Sequence, residues 1–462
     1  MKKKIITLLI TVICLNGCST LQKDYESTIS ETSIYKNISE NTNVNSEWWK
    51  EYKDPQLNRL IKIALENNKD LLKAGININK ALYEANIIGS DLVPEFSGAL
   101  SSSAEKNIKT GGSSTVSNSA EIDVSYEVDL WKRLSNMKDS EEWEYKATIE
   151  DYEEIKLALI NNVINAYYSI MYLENYISVS NDIINNYKKI KEVAANKFKY
   201  GMLDNSDEKE AQREVLESEN NLLEYEKEKK EQESLLRNLL NLKPDKDLKI
   251  TFKKMSEIKN IGVNLNIPIK AIGNRPDIKA YEYRLRSMFK NAVASEKQIY
   301  PNIILSSSLT SSNKNIKNTL KTPMGLGAIS IDLPFLNWNE TKWDIKTDKA
   351  SYEEAKEDFK QGITKALNAI DYNYFAYSKE LENYNNLLKI GKVNGEIAKN
   401  YENKYKNGSS QLEDWLTSLN TKASSTLDII NAKYKIISAE NTIYQSMGGK
   451  LNVASKTPTN KK

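Results

Sequence analysis

The ten residues Glu121-Ile122-Asp123-Val124-Ser125-Tyr126-Glu127-Val128-Asp129-Leu130 alternate without a break between polar and apolar side chains. A period of two marks a strand with one wet and one dry face, and it places Glu121, Asp123, Glu127 and Asp129 on the same side. Upstream, residues from about 95 to 103 read as a second strand, joined to the first by a loop containing Gly111-Gly112-Ser113-Ser114. A second hairpin is predicted from Pro301 to about Ser311 and from Gly325 to Leu333. Each strand approaches the ~9 to 11 residues that a tilted transmembrane strand requires. Soluble β-ribbons share the pattern, so two readings stay open. In a barrel the four acids line the lumen and the apolar alternates face lipid; in a soluble domain the acids form a solvated strand face.

The two hairpins belong to two copies of one unit. Asn67-Asn68-Lys69-Asp70 and Asn274-Arg275-Pro276-Asp277 open similar stretches, and in each a proline, Pro94 or Pro301, follows the aspartate by 24 positions. The copies lie 207 residues apart, and Lys197-Phe198-Lys199-Tyr200-Gly201 keeps that offset to Lys404-Tyr405-Lys406-Asn407-Gly408. Between these landmarks Val128-Asp129-Leu130 matches Ile331-Asp332-Leu333 at an offset of 203, so one hairpin loop is four residues shorter in the second copy. Register held at both ends marks an internal duplication.

Each copy reads helix, strand, loop, strand, very long helix, turn, helix. From about Asp139 to Tyr200 neither proline nor glycine interrupts the chain, and Ile183, Ile184, Tyr187, Ile190, Ala194 and Phe198 form a helical stripe. At ~1.5 Å per residue that helix is on the order of 90 Å long. A second such run extends from about Thr341 to Lys406, with Gly362, Gly391 and Gly395 as tolerated interruptions. Shorter helices at about 67–92 and 206–242, and again at 276–299 and 411–447, match each long helix when taken end to end. Such proportions suit the wall of an elongated tube better than a globule.

Four strands cannot close a barrel in lipid, because an open edge leaves backbone groups unpaired at several kcal/mol each. The smallest common closed barrels have about eight strands, so several copies must share one barrel. After residue 18 no stretch reaches the ~20 apolar residues of a membrane helix.

The first residues, Met1-Lys2-Lys3-Lys4 followed by an apolar run from Ile5 to Leu15, read as a cleaved signal peptide over 1–17. Leu15-Asn16-Gly17-Cys18 at its end predicts lipidation of Cys18; a plain secretory signal is the competing reading. Cys14 lies in the removed segment, so the mature chain has no disulfide partner for Cys18. With no histidine in 462 residues, the commonest metal ligand and general base are missing. No nucleophile elbow, phosphate loop or metal cluster is visible, and an enzyme is not expected. No metal or cofactor is expected either. Net charge is +2 from 65 basic and 63 acidic residues, which gives no field for nucleic acid. The charge run from Glu224 to Glu231 reads as a wet helix face.

The run Trp48-Trp49-Lys50-Glu51-Tyr52-Lys53-Asp54-Pro55-Gln56-Leu57, continuing through Leu60-Ile61 and Ala64-Leu65 to Asn67, resembles the opening of the TolC-like outer membrane factor family, especially its lipoprotein branch. Arg275-Pro276-Asp277-Ile278 is similar to that family's Arg-Pro-Asp-Ile signature, and Tyr405-x-x-Gly408 resembles its helical tip. The resemblance covers about 47 to 450 with its motifs in family order. It implies an α+β membrane protein: a homotrimer whose twelve strands form one outer-membrane barrel and whose helices form a periplasmic α-helical barrel. It further implies equatorial segments at about 19–66, 243–273 and 448–462. The implied function is an exit duct of a tripartite efflux or secretion system, receiving substrates from an inner-membrane pump through a periplasmic adaptor. In these terms 18–66 is the anchor, linker and first equatorial segment, 67–242 the first repeat, 243–273 the mid-chain segment, 274–447 the second repeat and 448–462 a polar tail. Ser19 after the cysteine implies transfer to the outer membrane, with outer-membrane lipid as a partner.

The resemblance also assigns a gate. Asp414, six residues after the tip glycine Gly408, corresponds to the aspartate that narrows the family's entrance. Asp207, at the same step from Gly201, corresponds to the residue that bonds the tyrosine at 405 and holds the helices shut. Two positions depart from the pattern: Thr417 stands where a second aspartate is expected, and Ser410 where a basic residue is expected. One acidic ring and a looser lock follow. The competing reading is that Asp207 and Asp414 favour helix N-termini after the turns. Trp131-Lys132-Arg133 suits either an aromatic girdle or a turn cap. Burial is the expected role of Trp48 and Trp49. The alternative function is a lipid-anchored periplasmic coiled-coil scaffold without a pore.

Overall fold

The computed structural model describes residues 44–109, 111, 113–202, 204–263 and 269–451. The predicted signal peptide, Cys18, the linker up to residue 43 and the tail from 452 lie outside them.

Strand β1 (Val44–Asn45) pairs antiparallel with the last strand, β6 (Lys450–Leu451). A 3-10 turn over Trp48–Tyr52 leads to α1 (Pro55–Asn67). Its start is set locally: the Asp54 carboxylate accepts from the amides of Gln56 (3.0 Å) and Leu57 (3.4 Å), and Pro55 needs no donor there. Leu57, Leu60, Ile61 and Ala64 then recur on one face and are buried.

The duplicated elements follow. The first copy comprises α2 (Lys69–Ser90), β2 (Glu95–Glu105), β3 (Thr115–Val128), α3 (Arg133–Lys199) and α4 (Asn205–Leu239). The second comprises α5 (Pro276–Lys297), β4 (Asn302–Asn313), β5 (Met324–Asp332), α6 (Trp338–Lys406) and α7 (Leu412–Ser446). The order expected from the sequence is reproduced twice. With 67 and 69 residues, α3 and α6 are each on the order of 100 Å long. All three glycines of the second long run lie inside α6. Among the described residues no helix is long and apolar enough to cross a membrane.

The four longer strands form one antiparallel sheet in the order β2-β3-β4-β5, so the hairpins of the two copies meet along β3 and β4. β2 and β5 are its free edges.

Two compact units draw on both copies. One contains Ala74–Tyr152 and Pro276–Ile363, with the sheet and the helix segments continuous with it. Its helices pack closely: Ser140 and Ser287 hydroxyls are 3.0 Å apart, and a Cβ added to Gly362 would lie 2.8 Å from the Tyr281 ring. The other contains Glu153–Arg275 with described residues of 38–73 and 364–462. Trp48, Ile164, Tyr167, Ile170, Met171 and Tyr444 are almost wholly buried there, each large side chain contributing about 1.5–3 kcal/mol or more. These units cut across the two repeats, because α3 and α6 each contribute residues to both.

Candidate functional site: a two-faced sheet and two tip turns

Register assigns the faces of the sheet. Tyr126, Leu305 and Ile329 stand in one cross-strand row, and Val128, Ile303 and Ile331 in the next on the same side. Phe96 opposite Val124, and Ile122 opposite Leu309, extend that apolar face. The opposite face carries Glu121, Asp123, Ser125 and Glu127 beside Thr310, Ser308, Ser306 and Ile304. Ser97 and Ala99 of β2 stand across from Asp123 and Glu121. One face is thus mainly hydrocarbon, with Ser307 opposite Val124, Ser311 opposite Ala120 and the Asn118–Asn313 pair as polar exceptions, and the other is mostly hydroxyl and carboxylate, with Met324, Leu326 and Ile304 as apolar exceptions. Period-two alternation across four paired strands is the pattern of a barrel wall that separates lipid from a wet lumen.

Two of the four acids also have local partners. Glu127 forms a 2.7 Å ion pair with Arg133. Asp129 falls beyond the strand, which ends at Val128, and its carboxylate accepts from the amides of Leu134 (3.0 Å) and Ser135 (2.9 Å). That places Asp129 at the start of α3 as a cap, correcting its assignment to the lumen-facing row; the helix's unpaired first amides compete for its carboxylate. Trp131 donates from its indole to the Pro301 carbonyl (2.9 Å) and stacks on Tyr300 at 4.8 Å, fastening the bases of the two hairpins together.

At the far ends of the long helices the chain turns twice in the same way. Gly201 and Gly408 adopt φ of +71° and +70°. Met202 donates to the Lys197 carbonyl and Ser409 to the Lys404 carbonyl, both at 2.8 Å. This is the six-to-one closure that a left-handed glycine permits after a helix. Asp204 caps α4 through the amides of Ser206 (2.6 Å) and Asp207 (3.4 Å), and the Ser206 bonds hold its carboxyl below the ordinary range. On the second tip Asp414 is exposed, and its Oδ2 accepts from the Gln411 amide (3.1 Å) and the Ser410 hydroxyl (2.8 Å). Gln411 returns the bond, completing a capping box at the start of α7.

Asp207 and Tyr405 are not joined: no hydrogen bond links them among the described residues. Tyr405 instead stacks on Trp415 at 5.4 Å and 24°. The polar contacts between the tips come from residues with no motif around them. Lys197 donates to the Gln411 side chain and lies 3.3 Å from Glu413. Ile190, Ala194, Ala211 and Leu416 form an apolar cluster beneath it. Of these, only the helical stripe through Ile190 and Ala194 was visible as a pattern.

The outer membrane efflux protein family matches residues 60–242 and 267–449, one match for each copy of the duplication. The chain belongs to that family. Toxin and drug export protein A of Aggregatibacter actinomycetemcomitans is 45% identical over 451 residues, spanning 98% of this chain and 99% of that protein. The Campylobacter jejuni CmeC outer membrane channel superimposes with a TM-score of 0.80 at 21% identity, covering 89% of each chain. The open state of the Neisseria gonorrhoeae MtrE outer membrane channel gives 0.76 at 21% identity, covering 86% of this chain and 89% of that one. The fold is that of an outer-membrane channel, with a β-domain and a long helical domain, internally duplicated. As an outer membrane efflux protein this chain is an exit-duct subunit, as the sequence predicted, and the pore-free scaffold is not the reading the family supports.

Proposed function

We propose that three copies of this outer membrane efflux protein close one twelve-stranded barrel, β2 of each pairing with β5 of the next, and that the tips of the helices gate its periplasmic entrance. The observation that carries the proposal is the four-stranded sheet, with one apolar face, one hydroxyl-and-acid face and two unpaired edges. Exposed apolar residues lie on the helices that adjoin those edges: Ile76, Tyr83 and Ile87 on α2, which leads into β2, and Trp338 and Trp343 on α6, which follows β5. A neighbouring copy paired at the strand edges would cover them. Substrates pass from an inner-membrane pump through a periplasmic adaptor into the duct, which conducts passively and catalyses nothing. Cys18 carries the lipid anchor that tethers the chain to the outer membrane. Glu121 and Asp123 give the barrel lumen a negative lining, with Glu127 on the same face neutralised by Arg133. Three Asp414 carboxylates, brought together by symmetry, narrow the entrance as an acidic ring.

Adjacent strand residues test the faces. Asp123→Asn should assemble into trimers that show reduced cation-over-anion permeability in planar bilayers. Val124→Lys, one position away on the apolar face, should fail to insert, at about 2–4 kcal/mol per chain near the membrane midplane. Trimers that tolerate both changes with unaltered selectivity, or a wild-type protein that purifies only as a monomer, would overturn the proposal.

A further inference from the structure

We propose that Lys197 is the clamp between the two tip turns and that breaking its bridge to the start of α7 opens the entrance; this rests on the reading of the tips as the gate. The resemblance pointed to a different lock, between Asp207 and Tyr405, and expected a basic residue where the second tip has Ser410. Neither is present. The first tip supplies the positive charge instead.

The backbone of Lys197 is fixed, because its carbonyl closes the Gly201 turn by accepting from Met202 at 2.8 Å. From that position its ammonium donates to Gln411 Oε1 and sits 3.3 Å from Glu413 Oε2. Gln411 is the cap of α7, and Asp414 is held by the same cap through the Gln411 amide and the Ser410 hydroxyl. Lys197 therefore acts as a positioning residue: it grips the cap that orients the acid of the proposed ring. The contact lies over the apolar cluster of Ile190, Ala194, Ala211 and Leu416, so sliding α7 along α3 would break the ion pair and part that cluster together. The stack of Tyr405 on Trp415 ties α6 to α7 and uses the ring face, leaving the tyrosine hydroxyl out of the contact.

The ion pair is partly exposed, with side chains 24% and 42% accessible, so its loss should shift the closed-to-open ratio by about two- to fivefold per chain. Three chains opening together would give about ten- to a hundredfold in open probability.

Single-channel recording on purified trimers tests this. Lys197→Met and Glu413→Gln should each raise open probability, and the double variant should add little to either. Lys197→Arg, and the exchange Lys197→Glu with Glu413→Lys, should return it towards the wild-type level, since a glutamate at 197 can accept from the Gln411 amide group. Tyr405→Phe with Asp207→Ala should leave it unchanged. In parallel, Asp414→Ala should weaken block by multivalent cations, which reports on the gate independently of the clamp. Unchanged opening in Lys197→Met with weakened block in Asp414→Ala would overturn the clamp and leave the gate at the tips. No change in either would overturn both. Additive single effects with no recovery on charge exchange would also overturn the clamp.

Discussion

Helices α4 and α7 are equivalent by duplication, both 35 residues long, and end alike. Leu236 and Leu240 in the first copy and Ile443 and Met447 in the second are all fully buried. Each helix is followed by a left-handed residue, Asn241 at φ +54° and Gly448 at φ +71°, and closed by a 2.8 Å bond to the carbonyl of Arg237 or Tyr444. One turn earlier the copies diverge. Glu233 is only half-buried, 3.4 Å from Arg237 and 3.9 Å from the exposed Lys230. Its counterpart Glu440 is 0% exposed and accepts four bonds: from the hydroxyls of Tyr52 (3.2 Å) and Tyr377 (3.1 Å), and from the amides of Ile261 (3.2 Å) and Gly262 (2.9 Å). The next residue, Asn441, accepts from the Trp48 indole at 3.0 Å. Duplication reproduces the backbone, whereas the unduplicated segments around Trp48–Tyr52 and 256–263 attach to the second copy. One glutamate of the pair has become their anchor.

The largest effect expected from that difference is on stability. Glu440→Ala leaves two hydroxyls and two amides without their acceptor, at about 1–3 kcal/mol for each group left unsatisfied. Glu233→Ala removes a half-buried pair between two side chains of one helix, with no amide or hydroxyl from a distant segment left without its acceptor, and should cost about 1 kcal/mol. Thermal denaturation of trimers in detergent should therefore show a large loss in the first variant and a much smaller one in the second; equal losses would break the comparison.

A smaller effect is expected where the long helices differ in bulk. Ile184 of α3 is 4% exposed, whereas the equivalent position of α6 is Gly391, where a Cβ would lie 2.7 Å from Ile429 Cδ1. Gly391→Val should cost about 1–3 kcal/mol by overpacking. Ile184→Val should cost about 0.5–1.5 kcal/mol by leaving a small void. If Gly391→Val raised the melting temperature, α7 would not pack against α6 as closely here as the structure has it.

Most of the fold was legible because its signals are local. Alternation from Glu121 to Leu130 located a strand, and the 207-residue offset located its partner elements. Asp54-Pro55 before Leu57 is a helix start that its residues alone specify, inside the run that resembles the family's opening. Asp129 was misplaced because alternation does not reveal where a strand gives way to a helix whose amides need an acceptor. Lys197 with Gln411, and Glu440 with Tyr52, are 214 and 388 residues apart, and nothing in either neighbourhood marks them. Glu440 has the sequence context of any glutamate on a helix surface; two distant segments bury it.

The smallest expected effect is the pH dependence of the same anchor. Burial pushes the Glu440 carboxyl above the ordinary carboxylate range, and the bonds from Gly262, Ile261, Tyr377 and Tyr52 pull it back only in part. Lys433, held below its own ordinary range by burial, is the nearby cation. Because the folded chain binds this proton more tightly than the unfolded chain, the stabilisation from protonated Glu440 is fully present below the unfolded value of about 4.5 and is lost as pH rises through the higher folded value. Glu440→Gln cannot titrate and loses nothing over that interval. The wild-type advantage in melting temperature over Glu440→Gln should therefore shrink from about pH 4.5 upward, by at most about 1.4 kcal/mol per pH unit, and then level off. Melting curves at stepped pH measure that difference directly. Parallel profiles for the two proteins would mean that Glu440 stays ionised throughout and that its four donors, rather than its burial, set its charge.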